Sequence, residues 1–160
     1  KQVLASEIYS SSFFDVSPRS RFITLVTAVE ALLERTRRAN EVEALLEEFK
    51  AKAKQSPIQQ STRDSIVRSL EQLKHESIGQ AGRALANRLI PTELFDGQSS
   101  ADFFSHCYNL RSQILHSGKI ENQSLDVLYL ANIMEGFVAK LLLAVLNSAP
   151  QDNSGTDNAK

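Results

Sequence analysis

The sequence contains few cysteines, glycines and prolines, and it carries almost no net charge. It contains one cysteine, Cys107, which excludes an internal disulfide and fits a reducing, cytoplasmic compartment. It contains only six glycines and four prolines, as expected of a helical protein with short connections. The formal net charge is −1, so overall charge gives no argument for nucleic-acid binding, and any such contact has to rest on a local patch.

Several signatures of common enzyme classes are also absent from the sequence. There is no GxGxxG, Walker-type loop, HExxH or CxxC, and no nucleophile elbow of the serine-hydrolase type. The three histidines are not spaced as ligands with one another or with the cysteine. We therefore expect neither a cofactor nor a metal.

The two ends of the chain carry no targeting signal. No signal peptide is present, and the run FVAKLLLAVL is about half the ~20 residues that a membrane span needs, so we expect no membrane partner. The chain begins with Lys1 instead of methionine, from which we expect an additional domain upstream of it.

Hydrophobic periodicity predicts an all-α protein, since no stretch shows strand alternation. We expect a single bundle of about six to seven helices over residues 1–147, with residues 40–95 as an additional helical elaboration and residues 148–160 as a disordered polar tail. The helices are expected at 1–14, 18–35, 41–54 with Asn40 as its cap, 59–76, 78–90, 101–117 with Ser99 or Ser100 as its cap, and 125–146, with 91–100 as a loop.

Apolar spacing predicts which faces of these helices are buried. The second helix should bury Phe22, Leu25, Val26, Val29, Leu32 and Leu33; the third Val42, Leu45, Leu46 and Phe49; and the fourth Ile66, Val67, Leu70 and Leu73. Gly79 and Gly82 should weaken the fifth helix. The last helix is apolar most of the way round, so it should be central or covered by a second subunit. Arg35, Arg37 and Arg38 have two interpretations, as caps of the second helix or as phosphate contacts.

The segment YNLRSQILHSG, residues 108–118, holds a misplaced charge. The buried stripe of its helix consists of Phe103, Cys107, Leu110 and Ile114, which makes Cys107 a small core side chain. Arg111 projects inside this apolar sector, where an unpaired charge is expensive to bury. It must therefore have a partner or line a cavity.

Two other features complete this candidate site. Tyr108, Ser112 and His116 share a neighbouring face of the same helix, and Gly118 ends it, so the helix dipole favours a charged His116. Glu30 lies at the edge of the core face of the second helix. It is either a rim carboxylate reaching solvent or the partner of Arg111 across a helix–helix contact.

RFITLVTAVEALLE together with YNLRSQILHSGKI resembles the HEPN superfamily of all-helical domains, with the closest likeness to the ApeA-like modules. The family signature of arginine, four to six residues and histidine near a helix end is matched by Arg111, SQIL and His116, and its acidic residue by Glu30. The resemblance covers residues 19–34 and 103–146. A serine follows the arginine, where the family often has asparagine, aspartate or histidine.

The resemblance implies a metal-independent endoribonuclease that acts as a homodimer on RNA and leaves a 2′,3′-cyclic phosphate, with a role in defence or stress as one expectation. Arg111 and His116 are the expected catalytic residues, supported by Glu30, Ser112 and Tyr108. Five residues of helix separate the two by about 140° and ~7.5 Å, so two copies would serve one phosphate better than one. The alternatives are a non-catalytic dimerisation or RNA-binding module of a larger protein, and a purely structural domain.

Overall fold

A computed structural model describes residues 1–118 and 125–148, and its secondary structure confirms the predicted all-α bundle. The described residues form seven α-helices: α1 (Gln2–Ser11), α2 (Pro18–Leu32), α3 (Asn40–Gln55), α4 (Gln60–Gln72), α5 (Ile78–Leu89), α6 (Ser100–Ser117) and α7 (Val127–Ser148). A 3-10 turn (Ser12–Phe14) follows α1, and two short strands, β1 (Leu94–Phe95) and β2 (Gln98–Ser99), precede α6. The predicted disordered tail lies outside the described residues, apart from Ser148, which ends α7.

The core forms around α2, which packs chiefly against α1 and α7 and also contacts α6. α5 covers α6 from the other side. The predicted stripes of α2 and α6 are buried as expected, except that Leu33 follows the end of α2 and is only partly buried. The buried side chains that contribute most volume are Phe22, Phe103, Phe104, Phe137, Leu25 and Met134.

The last helix has the predicted length, which is about twice that of the run FVAKLLLAVL that was compared with a membrane span. α7 has 22 residues and a mean hydropathy of 1.6, so by length and composition alone it could cross a membrane. One side of it is core, with Met134, Phe137 and Leu141 fully buried against the rest of the bundle. Leu143 and Leu146 remain exposed on its other side. A buried core helix passes the same test of length and composition, so α7 is weak evidence for a membrane span.

Gly82 has a packing role that overrides its low helix propensity. α5 is continuous through it, and a capping box at Ser77 and Gln80 starts the helix. A Cβ atom at Gly82 would overlap three atoms of the Phe104 ring. The farthest of the three, Cδ1, would lie only 2.6 Å from it. The expectation of a weakened helix therefore misses that the glycine lets α5 lie directly on α6.

The third and fourth helices form a hairpin that stands away from the core, and the burial expected for them is wrong. α3 buries Leu46, but Val42, Leu45 and Phe49 are 39%, 48% and 43% exposed. No residue of α4 is buried, and Ile66 and Leu73 are 40% and 51% exposed. The two helices pack mainly on each other, so their apolar stripes are only half covered.

The fifth helix belongs to the core, although residues 40–95 were expected to form one elaboration. Leu85 and Ala86 of α5 are buried in the main cluster. The part that departs from the bundle is therefore α3 and α4 alone. That these two helices are an insertion stays a prediction.

The arginine cluster caps a different helix from the one expected. α2 ends at Leu32, so the cluster follows in an extended segment that bridges Arg37 to His75. Arg35 donates to the carbonyls of Gln72 and Glu76, and Arg38 donates to that of Leu73. Arg35 and Arg38 therefore satisfy the carbonyls of Gln72 and Leu73 at the end of α4, where basic groups also complement the helix dipole, whereas Arg37 forms an ion pair with Glu43 of α3.

The loop expected at 91–100 contains a small antiparallel hairpin. Leu94 pairs with Ser99 and Phe95 with Gln98, and the turn between them is Asp96-Gly97. Both turn residues have positive φ, 51° and 72°. An Asp-Gly pair favours this tight hairpin turn because it tolerates left-handed backbone at both positions.

Candidate functional site

The predicted contact between Arg111 and Glu30 is present. Arg111 lies on the side of α6 that faces α2, and its Nη2 is 3.4 Å from Glu30 Oε2. The two side chains are 24% and 18% exposed, so the pair sits at the margin of the core, with one edge open to solvent. Of the two interpretations of Glu30, the geometry selects the partner of Arg111.

The pair leaves hydrogen-bonding capacity unused. Burial raises the pKa of Glu30, and the Arg111 charge opposes that rise without cancelling it. Glu30 Oε1 and Arg111 Nε are both buried without a hydrogen-bond partner in the described part of the chain. A bidentate arginine–carboxylate pair would use both groups. The guanidinium is therefore anchored through Nη2, its Nε stays buried and unpaired, and only its solvent-exposed edge is open to another acceptor.

His116 lies in the last turn of α6, five residues beyond Arg111, and it is exposed. Gly118 ends the helix in the left-handed conformation, with φ of 66°, and its N–H donates to the Ile114 carbonyl. Because Arg111 faces α2 and His116 faces solvent, a single chain does not bring the two together. This agrees with the divergence of about 140° expected from helical geometry.

The two remaining predicted residues lie beside the site without contacting the charged pair. Tyr108 is half-buried, stacks on Phe104 with ring centroids 6.0 Å apart, and lies over Gly79 of α5. Ser112 is half-buried one turn further along α6. Tyr108 therefore helps α5 pack on α6, and of the predicted supporting residues Glu30 is the one that forms a hydrogen bond and ion pair with Arg111.

A second polar cluster, on the opposite edge of α2, was missed in the sequence. Arg21 donates to Asn132 Oδ1 at 2.9 Å and forms an ion pair with Glu135 of α7, and Arg21 Nε is buried without a partner among the described residues. Burial, reinforced by Glu135, raises the pKa of the neighbouring Tyr9. The available signal was Glu135, an acidic residue inside the apolar run of α7, which needs a basic partner as Arg111 does.

The described residues contain no group of three or more His, Cys, Asp or Glu side chains that could hold a metal ion. Cys107 is fully buried, and desolvation raises the pKa of its thiol, which keeps it protonated and unreactive. Comparison with protein-family models, with curated proteins and with solved structures finds no match to this chain.

Proposed function

We propose that this domain is a HEPN-like, metal-independent endoribonuclease whose site is shared by two copies of the chain. The observation that supports it most is the position of Arg111, which Glu30 anchors at the margin of the core with one edge open to solvent. An anchored guanidinium with an open edge suits an anionic ligand such as a phosphodiester. A cytoplasmic location and a role in defence or stress are part of the same proposal.

In this proposal His116 acts as the general base and Arg111 as the electrostatic stabiliser. The imidazole removes the proton from a ribose 2′-hydroxyl, whose oxygen then attacks the adjacent phosphorus. The bond from phosphorus to the 5′-oxygen of the next nucleotide breaks, and that oxygen takes up a proton from an imidazolium. The products are a 2′,3′-cyclic phosphate and a 5′-hydroxyl. Arg111 donates to the phosphoryl oxygens as negative charge accumulates on them.

The need for a second copy comes from the geometry of α6. Arg111 and His116 lie on different sides of the helix, and one of them faces α2. A two-fold axis close to the end of α6 would set one copy's arginine beside the other copy's histidine, because an isologous contact presents the same residues from both sides.

The test is cleavage of single-stranded RNA in the presence of EDTA, followed by analysis of the new ends. We expect cleavage that leaves cyclic phosphate, and a loss of at least about a hundredfold in His116→Ala, the scale of one general acid–base group. His106→Ala is the matched control, since His106 is an exposed histidine on the same helix. Equal activity in both variants, or no cleavage by the wild type over varied RNAs, would refute the nuclease.

A second candidate is a non-catalytic dimerisation or RNA-binding module. It is favoured by the same ion pair, because a cross-helix pair at the core margin stabilises the fold whether or not it binds a ligand. Arg111→Ala separates the two. A module with a purely structural pair loses stability alone, whereas the nuclease also loses activity per folded molecule.

A further inference from the structure

The hairpin of α3 and α4 carries an apolar face that the rest of the described chain leaves open. Val42, Leu45 and Phe49 of α3 are two-fifths to one-half exposed, as are Ile66 of α4 and Leu73, which directly follows α4. Successive members of each set are three, four or seven residues apart, so each set lies along one side of its helix. We call these five residues the hairpin face.

The other side of the hairpin is closed by charge. Lys50 and Lys74 each form ion pairs with both Glu47 and Glu71. Two of the four contacts, Lys50 with Glu71 and Lys74 with Glu47, connect α3 to the end of α4. These contacts lower the pKa of Glu71 to about 2. The hairpin thus has an ion-pair network of zero net charge along one edge, and its hairpin face is partly exposed to solvent on another side.

The charges beside the hairpin face are ordered along α3. Acidic residues occupy the first turn and lysines the last. Glu41 and Lys52 are eleven residues apart, which places them on one edge of α3, about 16.5 Å apart along the axis and about 20° apart around it. Both are exposed, and neither pairs with another described residue.

We propose that the hairpin face binds the hairpin face of a second copy of this chain, with the two α3 helices antiparallel about a two-fold axis near Leu46. In this arrangement Glu41 of each copy lies opposite Lys52 of the other, which forms two equivalent ion pairs. Phe49 of each copy lies opposite Leu45 of the other. The four helices then enclose an apolar centre, as in a helical bundle.

The order of charge is what selects a second copy over another occupant. A segregated acidic and basic edge is complementary to itself only when it is reversed, which a two-fold axis does. The size is also adequate. α3 has 16 residues and is about 24 Å long, and two packed helices are about 20 Å wide. Two hairpins that cover each other over the whole length of α3 therefore bury about 1,000 Å², the lower limit for a specific interface. We expect an interface of this size to be weak, with association at micromolar concentrations and above.

This surface is separate from the proposed nuclease site, because none of its residues lies on α2, α6 or α7. The proposed hairpin contact can therefore be tested independently of RNA cleavage. A chain that uses both surfaces would assemble beyond a dimer.

The test is sedimentation over about 1 to about 300 µM, a range that spans a micromolar Kd. We expect Glu41→Lys to weaken the association about tenfold, since two attractive pairs become repulsive. The double variant Glu41→Lys/Lys52→Glu should return it to near the wild-type value. Leu45→Glu should abolish the association through the hairpin face and leave at most the dimer of the nuclease site, because it places two carboxylates in the apolar centre. Leu4→Glu, on a similarly exposed leucine of α1, is the matched control and should leave the association unchanged.

The rescue by double reversal is decisive because the helix dipole predicts the opposite. Reversing both charges sets a lysine at the start and a glutamate at the end of α3, which weakens the isolated helix. Restored association can then come only from contact between copies. A wild type that stays monomeric over the range, a Glu41→Lys variant that associates normally, or a double variant that is not rescued would each overturn the proposal.

Discussion

Replacing Gly82 with alanine tests the closest helix contact in the core. The added Cβ would meet the Phe104 ring well inside the contact distance of about 3.5–4.0 Å, so the ring or the α5 backbone has to shift by more than about 1 Å. Phe104 is fully buried and lies between Tyr108 and Phe137, with ring centroids 6.0 and 6.3 Å away. The ring therefore has no free direction in which to move.

Two opposing effects decide the size of the change. Alanine is favoured over glycine in a helix interior by about 1 kcal/mol. An extra methyl group in a well-packed core costs about 1–3 kcal/mol, and an overlap this deep belongs at the upper end. The expected net result is a loss of about 2 kcal/mol in the free energy of unfolding, or a Tm lower by about 6 °C for a domain of this size.

Urea denaturation followed by far-UV circular dichroism measures this loss, with the m-value as a check on two-state behaviour. Gly136→Ala in α7 is the control, since a Cβ there meets nothing within 4 Å and should stabilise by about 0.5–1 kcal/mol. Phe104→Leu should relieve much of the penalty in the double variant, which would show as a non-additive cycle. A Gly82→Ala protein as stable as the wild type would refute the close packing of α5 on α6.

Three other perturbations have expected outcomes. Burial raises the pKa of Glu30 above 4.5, so the stability that its protonated form contributes is full below pH 4.5 and is lost as the pH rises through the raised pKa. Urea titration at several pH values measures this loss, and Glu30→Gln should remove that pH dependence. The pKa of Glu71 is lowered to about 2, so its contribution to the stability of the hairpin is present above pH 4.5 and is lost as the pH falls towards 2. The hydrogen-exchange protection of α3 and α4 should follow this acid dependence in the wild type and lose it in Glu71→Gln. Ser77→Ala removes the cap of α5 and should cost about 1 kcal/mol in thermal unfolding, whereas an unchanged Tm would contradict the capping box.

The core helices were readable from the sequence because burial there follows periodicity. α2 and α6 each carry apolar residues at helical spacing, and the buried side chains Phe22, Val29, Phe103 and Ile114 fall where that spacing puts them. Ser17 followed by Pro18 marked the start of α2, and Gly118 marked the end of α6. These are local rules that act within one turn of helix, and tertiary contacts only reinforce them.

The same rules misjudged α3 and α4 because periodicity says which side of a helix is apolar, not whether anything covers it. Val42, Leu45 and Phe49 form as regular a stripe as those of the core helices, yet they are left half open. Only the distribution of contacts between helices distinguishes the two cases. The short strands at 94–95 and 98–99 were missed for another reason, since two-residue strands carry no alternation and Asp96-Gly97 was the sole local signal.

The sequence predicted the contact between Arg111 and Glu30 but missed the one between Arg21 and Glu135, although the same physical reason applies to both. A charge inside an apolar sector requires a partner, which led from Arg111 to Glu30. The same reasoning applied to Glu135 would have led to Arg21. The position of His116 relative to another copy was beyond this reasoning, because it depends on an assembly that a single chain does not specify.

The two ion pairs together constrain how α2 can sit in the bundle. Arg21 and Glu30 are nine residues apart, which puts them on opposite edges of the core face of α2. One is held by Glu135 of α7 and the other by Arg111 of α6, so a rotation of α2 that shortens one pair lengthens the other. The long, single-point contact of Arg111 is therefore consistent with a position set by core packing and not by its own hydrogen bonding. A guanidinium positioned by the core keeps one edge open to solvent, which is also what an anion-binding arginine requires. The structural and the functional interpretations of Arg111 thus rest on the same geometry, and they differ only in whether its open edge meets a phosphate.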